Sequence, residues 1–355
     1  MSYTNGLDKP SDYFATKLYV GNATDNTGIT GVGFQPDWVW LKDRTNGNHH
    51  RIYDSVRGAT KVIYSSLNSA EGTASTGLKS FDSDGFTLGT GSDENGNGAN
   101  FVSWNWLGAN GTASNSNGSI TSTVSANTTA GFSIVSYTGN GTAGATVGHG
   151  LGVTPKMIIV KKRSGVSTWN VYHEAIGNTK GLYLNTTDAT TTYTGFWNDT
   201  SPTSSVFTVG ADNTTNSATY IAYCFAEKQG YSKFGSYTGN GNADGAFIYT
   251  GFKTAFVMIK KTDSAGNYWH IYDNKRSSSG GSNVINDVLY PNRSDAEYSE
   301  DRIDFVSNGF KIRTTNGDIN TSGGTYIYMA FAENPFVTST GVPATARWLC
   351  SYLLT

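Results

Sequence analysis

The sequence predicts an all-β protein made of three tandem β-sandwich (jelly-roll-like) repeats of about 100 residues each. Three observations predict it. Long stretches recur at a fixed offset. Apolar residues fall in short runs bounded by Gly, Asn and Ser, and no window of 12 or more residues carries a helical period. The composition suits short strands and tight turns, with 43 Gly and 13% aromatic residues among 355, against 7 Pro and 4 Met.

The repeats are read first, because they divide the chain. Tyr137-Thr138-Gly139-Asn140-Gly141 recurs as Tyr237-Thr238-Gly239-Asn240-Gly241, an offset of 100 residues. Met157-Ile158-Ile159-Val160-Lys161-Lys162 answers Phe256-Val257-Met258-Ile259-Lys260-Lys261, and Trp169-Asn170-Val171-Tyr172-His173 answers Trp269-His270-Ile271-Tyr272-Asp273. Each copy closes on one strand pattern, over 219–227 and again over 325–333. A more diverged copy precedes them, in Leu18-Tyr19-Val20-Gly21-Asn22, Asp37-Trp38-Val39-Trp40-Leu41-Lys42, Arg51-Ile52-Tyr53-Asp54 and Phe101-Val102-Ser103-Trp104-Asn105-Trp106.

These matches place an N-terminal repeat at 1–107, a second at 132–228 and a third at 232–335. The stretch 108–131 is almost wholly Gly, Ala, Ser, Thr and Asn, and reads as a flexible or extended linker. Residues 336–355 form a C-terminal tail with Trp348 and Leu349 in it. Residues 1–13 have no repeat counterpart and are expected to be an anchor segment.

Within a repeat, 156–162 and 255–261 are short Val, Ile and Phe-rich runs, as expected of strands buried on both faces. Tyr220, Ala222, Cys224 and Ala226 alternate with Ile221, Tyr223 and Phe225, which puts two sets on opposite faces of one strand. Each repeat is long enough to own a core.

Composition also excludes. Lys plus Arg (25) nearly balances Asp plus Glu (27), and no basic run exceeds two residues, so an electrostatic nucleic-acid partner is not expected. No run of 18 apolar residues predicts membrane insertion, and the first residues lack the pattern of an export signal. Cys224 and Cys350 are too few for a disulfide framework.

Motifs of known chemistry fail in context. Gly139-Asn140-Gly141-Thr142-Ala143-Gly144 fits a dinucleotide fingerprint, but Val147-Gly148-His149-Gly150 cannot open the helix that fingerprint needs, so the segment reads as a hairpin turn. Asp93-Glu94-Asn95-Gly96-Asn97-Gly98 matches the opening of a calcium loop, yet Trp104 stands where the bidentate Glu belongs, and no calcium or other cofactor is expected. The five histidines form no H-x-x-x-H pair, so no metal is expected. There is no G-x-S-x-G, and Asp82, Asp84, Glu300, Asp301 and Asp304 read as solvated carboxylates. No catalytic residue is assigned.

Aromatic residues at matched positions, such as Trp169 with Trp269 and Phe225 with Phe331, read as shared core packing. Those without a repeat counterpart are the candidates for contact with a glycan: Tyr193, Phe196 and Trp197 in the second repeat and Tyr268 in the third.

The repeat residues also carry a resemblance. The run Gly230-Tyr231-Ser232-Lys233-Phe234-Gly235-Ser236-Tyr237-Thr238-Gly239-Asn240-Gly241, then Tyr249-Thr250-Gly251-Phe252, and the closure Tyr326-Ile327-Tyr328-Met329-Ala330-Phe331-Ala332-Glu333-Asn334-Pro335-Phe336 resemble a repeat family of virion proteins from tailed bacteriophages, many of them marine. Gly150-Leu151-Gly152-Val153-Thr154-Pro155 and the stretch 198–210 are similar to its motifs. The match spans the second and third repeats and, more weakly, the first. The segment Trp348-Leu349-Cys350-Ser351-Tyr352-Leu353-Leu354-Thr355 departs from the family's usual polar ending, and no long shaft is present.

The resemblance implies a non-enzymatic virion surface protein assembled in the bacterial host cytoplasm, a tail fibre or receptor-binding component contacting host surface glycan. Its expected partners are other virion proteins, further copies of itself with a trimer favoured, and host cell-surface polysaccharide. The rivals are a capsid decoration or vertex protein, a host-polysaccharide depolymerase and a free-standing secreted lectin.

Overall fold

Strands whose two faces are both apolar must be covered twice, and the central strands of all three repeats have this pattern. The computed structural model, which describes residues 7–277 and 283–338, satisfies each face separately. Repeat 1 holds β1 (Phe14–Val20), β2 (Thr27–Thr30), β3 (Trp38–Asp43), β4 (Arg51–Asp54), β5 (Lys61–Tyr64), β6 (Gly72–Thr73), β7 (Leu78–Asp82), β8 (Gly85–Leu88) and β9 (Asn100–Trp106). Repeat 2 holds β10 (Ala113–Asn115), β11 (Ser122–Asn127), β12 (Phe132–Thr138), β13 (Ala145–Gly148), β14 (Met157–Lys162), β15 (Trp169–His173), β16 (Lys180–Tyr183), β17 (Thr191–Thr192), β18 (Val206–Val209) and β19 (Thr219–Phe225). Repeat 3 holds β20 (Ser232–Thr238), β21 (Phe247–Tyr249), β22 (Phe252–Lys261), β23 (His270–Asp273), β24 (Ile285–Val288), β25 (Tyr298–Val306), β26 (Gly309–Ile312) and β27 (Thr325–Pro335).

Each repeat is a pair of antiparallel sheets. The larger sheets run β1-β9-β3-β4-β5-β6, β10-β11-β12-β19-β14-β15-β16-β17 and β20-β27-β22-β23, and the smaller ones β2-β8-β7, β13-β18 and β21-β26-β25-β24. The all-β, sandwich-like class is as the sequence predicts. One-turn helices α1 (Ser92–Asn95), α2 (Thr194–Trp197) and α3 (Gly317–Asn320) lie in the loops.

One face of each large sheet packs on its own small sheet. Val39, Leu41 and Phe101 join Phe86 and Leu88 in repeat 1, Ile158, Val160 and Ala222 join Phe207 in repeat 2, and Val257, Ile259 and Ala330 join Phe310 in repeat 3. The alternate residues face the other way, into one core that all three repeats share. Trp38, Trp40, Trp104 and Trp106 meet Ile159, Tyr223 and Phe225 and also Phe256, Met258, Met329 and Phe331. Burying one such indole removes about 200 Å² from water, worth roughly 5 kcal/mol as an upper bound before entropy.

Hydrogen bonds close the three repeats into a ring. At the end of β3, β14 and β22 the matched lysines Lys42, Lys161 and Lys260 are buried, and each reaches a carbonyl of a neighbouring repeat: Ser294 O at 3.2 Å, Asn68 O at 3.0 Å and Thr187 O at 3.2 Å. Burial pushes each ammonium down to about 8, and the carbonyls hold its protons. Backbone bonds repeat the same order: Glu71 N–H to Arg163 O, Thr190 N–H to Thr262 O and Glu297 N–H to Arg44 O. On the shared face Tyr223 Oη donates to Asp54 (2.7 Å) and Trp104 Nε1 donates to Asp273 (2.9 Å), while each Asp also holds a buried arginine, Arg57 or Arg276.

The stretch 108–131, expected as a linker, is instead structured. β11 pairs along β12, and β10 pairs with β11. Ile120, Ser122 and Val124 alternate inward and are buried, a period of two that the Gly, Ser and Thr-rich composition conceals. Of the expected anchor, residues 1–6 lie outside the described residues. Leu7 N–H donates to Gln229 O (3.2 Å), and the turn Pro10–Asp12 packs on β27. The tail with Trp348, Leu349 and Cys350 also lies outside them.

Removing the Asp273 carboxylate takes from the buried Arg276 guanidinium the nearer of its two carboxylates, Glu297 (2.7 Å) remaining, and leaves Trp104 Nε1 without its acceptor. Asp273→Ala is therefore expected to lower unfolding free energy by about 3–5 kcal/mol, and Trp104→Phe, which loses one bond and keeps most of the packing, by about 1–2 kcal/mol. Denaturant titrations check both, and equal effects would show that the charge pair is not what the contact protects.

Candidate functional site

The strand registers define two ends of the molecule. At one end Phe14 lies opposite Trp106, Ser232 opposite Phe331 and Phe252 opposite Pro335, and here Leu7 meets Gln229. The opposite end carries the Asn and Gly loops 95–100, 138–144 and 238–245. Their side chains close their own turns: Asn140 Oδ1 accepts from Thr142 N–H (3.0 Å), and Asn240 Oδ1 from Asn242 N–H (3.0 Å).

Beside this end each repeat places a tyrosine and an aspartate at matched positions. The tyrosines are Tyr64, Tyr183 and Tyr290, lying across from Arg51, Asn170 and His270. The aspartates are Asp93, Asp212 and Asp318, on the short turns that lead into β9, β19 and β27. Two predicted contact residues converge on these stations. Tyr193, 42% exposed, donates to Asp212 Oδ1 (3.3 Å), and that carboxylate holds the phenol above its ordinary value. Burial raises Asp212 itself. Tyr268 packs on Tyr290 (5.4 Å), and the Arg293 guanidinium lies 4.6 Å over its ring.

Phe196 and Trp197, predicted with them, are not available. Both are buried in the sandwich core, at 0% and 1% exposure, with Phe196 under Tyr183 and Tyr193 and Trp197 against Tyr172. They sit on α2, whose single turn folds the two rings inward. Lack of a repeat counterpart therefore did not mean exposure.

The stations differ in charge. In repeat 1 Arg51 pairs with Asp93 and with Glu94 (2.6 Å to the latter), and its guanidinium lies 5.2 Å over Tyr64. The carboxylates that resembled a calcium loop are thus held by an arginine, and Tyr53 Oη also donates to Glu94. In repeat 3 Arg302 pairs with Glu300 and donates to His270 Nε2 (3.0 Å), while His270 Nδ1 donates to Tyr268 O (3.1 Å). Burial, with Arg302 beside it, pushes His270 down to about 3, so the ring is neutral.

His49 Nδ1 lies 2.8 Å from Ser66 Oγ, but among the described residues no carboxylate hydrogen-bonds its other nitrogen. Among those residues, no group of three or more His, Cys, Asp and Glu side chains could hold a metal ion. Asp84, read as a solvated acid, accepts from Gly31 and Gly33 N–H, and Asp304, on β25, pairs with Arg313. What the stations offer is a half-exposed aromatic face beside a carboxylate and, in two repeats, a guanidinium. These groups suit a polyhydroxylated ligand.

His270 sets a pH dependence. Its folded pKa lies below the ordinary value near 6.5, so the unfolded chain takes the proton first; the stability this provides is complete above about 6.5 and is lost as pH falls, at about 1.4 kcal/mol per unit. His270→Gln should reduce the loss of unfolding free energy between pH 7 and 5 by about 2 kcal/mol. Parallel profiles for variant and parent would show that the ring titrates normally.

A family model described as a domain of unknown function, DUF7483, matches residues 9–335. No curated protein and no solved structure matches the chain.

Proposed function

The chain belongs to the DUF7483 family, and from its architecture we propose that it is a non-enzymatic surface protein of a tailed-phage virion, a tail fibre or receptor-binding component whose stations contact host cell-surface glycan. The observation that carries the reading is the placement of the stations. Three tyrosine and aspartate pairs stand near one end of a rigid β body, and the described chain begins and ends near the other. A head held at one end and making contact at the other needs that separation. The resemblance of the repeats to phage virion proteins supports the same reading, as does a polar surface of low charge, suited to hydrogen-bonded contact with polysaccharide. One chain here forms the threefold body that fibre heads commonly build from three chains.

The stations are weak individually and gain by number. Stacking of a sugar on one tyrosine is worth about 1 kcal/mol, and linked stations on one polymer add effective concentration. Purified protein should bind polysaccharide from the host surface without generating new reducing ends. Tyr193→Ala and Tyr268→Ala should each weaken binding about three- to tenfold, and the double variant more than either. Antibody against the chain should label the tail of intact particles and block adsorption. Label spread over the head with adsorption unchanged would make this a decoration protein and end the glycan reading.

A further inference from the structure

After β4, β15 and β23 the three repeats make the same backbone contact, with Ser55 N–H donating to Asp37 O (2.8 Å), Glu174 N–H to Lys156 O (2.8 Å) and Asn274 N–H to Ala255 O (2.9 Å). In repeats 1 and 2 the residues so joined are bonded by their side chains as well, Ser55 Oγ to Asp37 Oδ1 (2.5 Å) and Lys156 Nζ to Glu174 Oε1. In repeat 3 the matched pair is Asn274 and Ala255, and a methyl group cannot answer an amide. Asn274 is 5% exposed, and its Oδ1 is buried without a hydrogen bond. Buried amide oxygens in folded proteins ordinarily have a partner. Ala255 is also the extra residue of a bulge in β22, where the register against β27 shifts between Thr254 and Phe256.

Repeat 1 supplies a second departure that meets the first. The third residue of its opening strand β1 is Thr16, whereas the third residues of β12 and β20 are Ile134 and Phe234, both in the shared core. Thr16 Oγ1 is likewise buried without a hydrogen bond. Thr16 and Asn274 line one cavity of about 240 Å³ in the seam between repeats 1 and 3, walled by Phe14 and by Ala15, Ala255 and Ala332. Of the charged groups on its lining, Glu333 lies 2.8 Å from Lys253 Nζ, and Lys275 is exposed. The interior therefore calls for a neutral ligand with a small apolar part and an amide or hydroxyl edge.

We propose that this seam cavity binds the acetamido group of an N-acetylated amino sugar. A primary carboxamide matches a secondary amide edge to edge: Asn274 Oδ1 accepts the ligand's N–H and Asn274 Nδ2 donates to its carbonyl, which leaves Thr16 Oγ1 for a hydroxyl of the ring. The acetyl methyl lies against Ala15, Ala255 and Ala332, whose short side chains leave room for it. The volume falls below the roughly 300–1,000 Å³ of drug-sized pockets, so the cavity takes one sugar residue and not an oligomer. The inference goes beyond the glycan stations and does not rest on them, since none of their tyrosines lines the cavity.

The test uses the full chain, with N-acetylglucosamine and N-acetylgalactosamine as probes and glucose, galactose and glucosamine as controls, read by saturation-transfer NMR. At least one acetylated probe should bind saturably, with a dissociation constant on the order of 1 mM and the strongest signal on its acetyl methyl protons, and the controls should not. Ala255→Lys with Asn274→Glu installs the pair that repeat 2 already folds around, and should abolish binding at unchanged melting temperature. Asn274→Asp, which keeps an acceptor and loses both donors, should weaken binding at least about tenfold. No saturable binding by either acetylated sugar would mean that water alone satisfies the two buried oxygens, and overturns the proposal. Equal binding of the unacetylated controls overturns it as well. Binding that survives the double variant and falls with Tyr193→Ala and Tyr268→Ala would place the sugar at the stations instead, which ends this inference and leaves theirs standing.

Discussion

Everything in this molecule depends on the second face of the central strands. β3, β9, β14, β19, β22 and β27 each bury one set of alternate residues against their own small sheet and the other set against the other repeats. A repeat on its own would present to water a face carrying Trp38, Trp40, Trp104 and Trp106, or Met157, Ile159, Tyr223 and Phe225. A contiguous apolar surface of that size is not found on soluble monomeric domains. The three sandwiches are therefore separate in sequence and inseparable in energy, and the ring is the folding unit.

The polar contacts on that shared face show how one constraint is met by different residues. Where a strand from the neighbouring repeat offers a donor, Tyr223 or Trp104, the facing position holds an aspartate, Asp54 or Asp273, that accepts it. At the third junction the matched strand position is Met329, which offers no donor. The facing residue is His173, whose Nε2 donates to the Tyr328 carbonyl (3.1 Å) while Nδ1 accepts from Ala175 N–H (3.2 Å). The arginine that accompanies each aspartate is replaced there by Ile176. Burial holds His173 down to about 4, as a neutral donor requires. A buried donor or acceptor without a partner costs about 1–3 kcal/mol, so the residues at such a junction must change together.

Much of this was legible in the sequence, because period-two alternation and matched repeats are local signals. The alternation of Tyr220, Ala222 and Cys224 with Ile221, Tyr223 and Phe225 separated the two faces of β19 correctly, and it could have announced the shared core: a strand apolar on both faces, in a sandwich with only one partner sheet, needs a second cover. The strands in 108–131 were hidden by composition, since Ser122 and Thr123 look like linker residues unless Ile120 and Val124 are counted with them. For the candidate stations, lack of a repeat counterpart drew attention to Tyr193 and Tyr268, which lie beside them, whereas Tyr64, Tyr183 and Tyr290 drew none because they recur. Recurrence marks core packing when the position faces inward, and a repeated surface station when it does not. Sequence alone does not tell the two apart.

How the first strand of each repeat is flanked follows from how the chain is connected. Between repeats 1 and 2 it spends more than 20 residues, enough to lay two strands and a bridge over β12 and β13 before entering the next sandwich. Between repeats 2 and 3 it passes from Phe225 at the end of β19 to Ser232 at the start of β20 with only a tight turn, in which Lys228 bridges Ser232. That turn holds the start of the edge, with Ser232 N–H donating to Lys228 O (2.9 Å) and Phe234 N–H to Glu227 Oε2 (3.5 Å), and natural sheets commonly blunt edges with charge in this way. β20 also carries Lys233, paired with Glu227 (2.8 Å), so one carboxylate beside the turn serves both the lysine and the main chain of the edge.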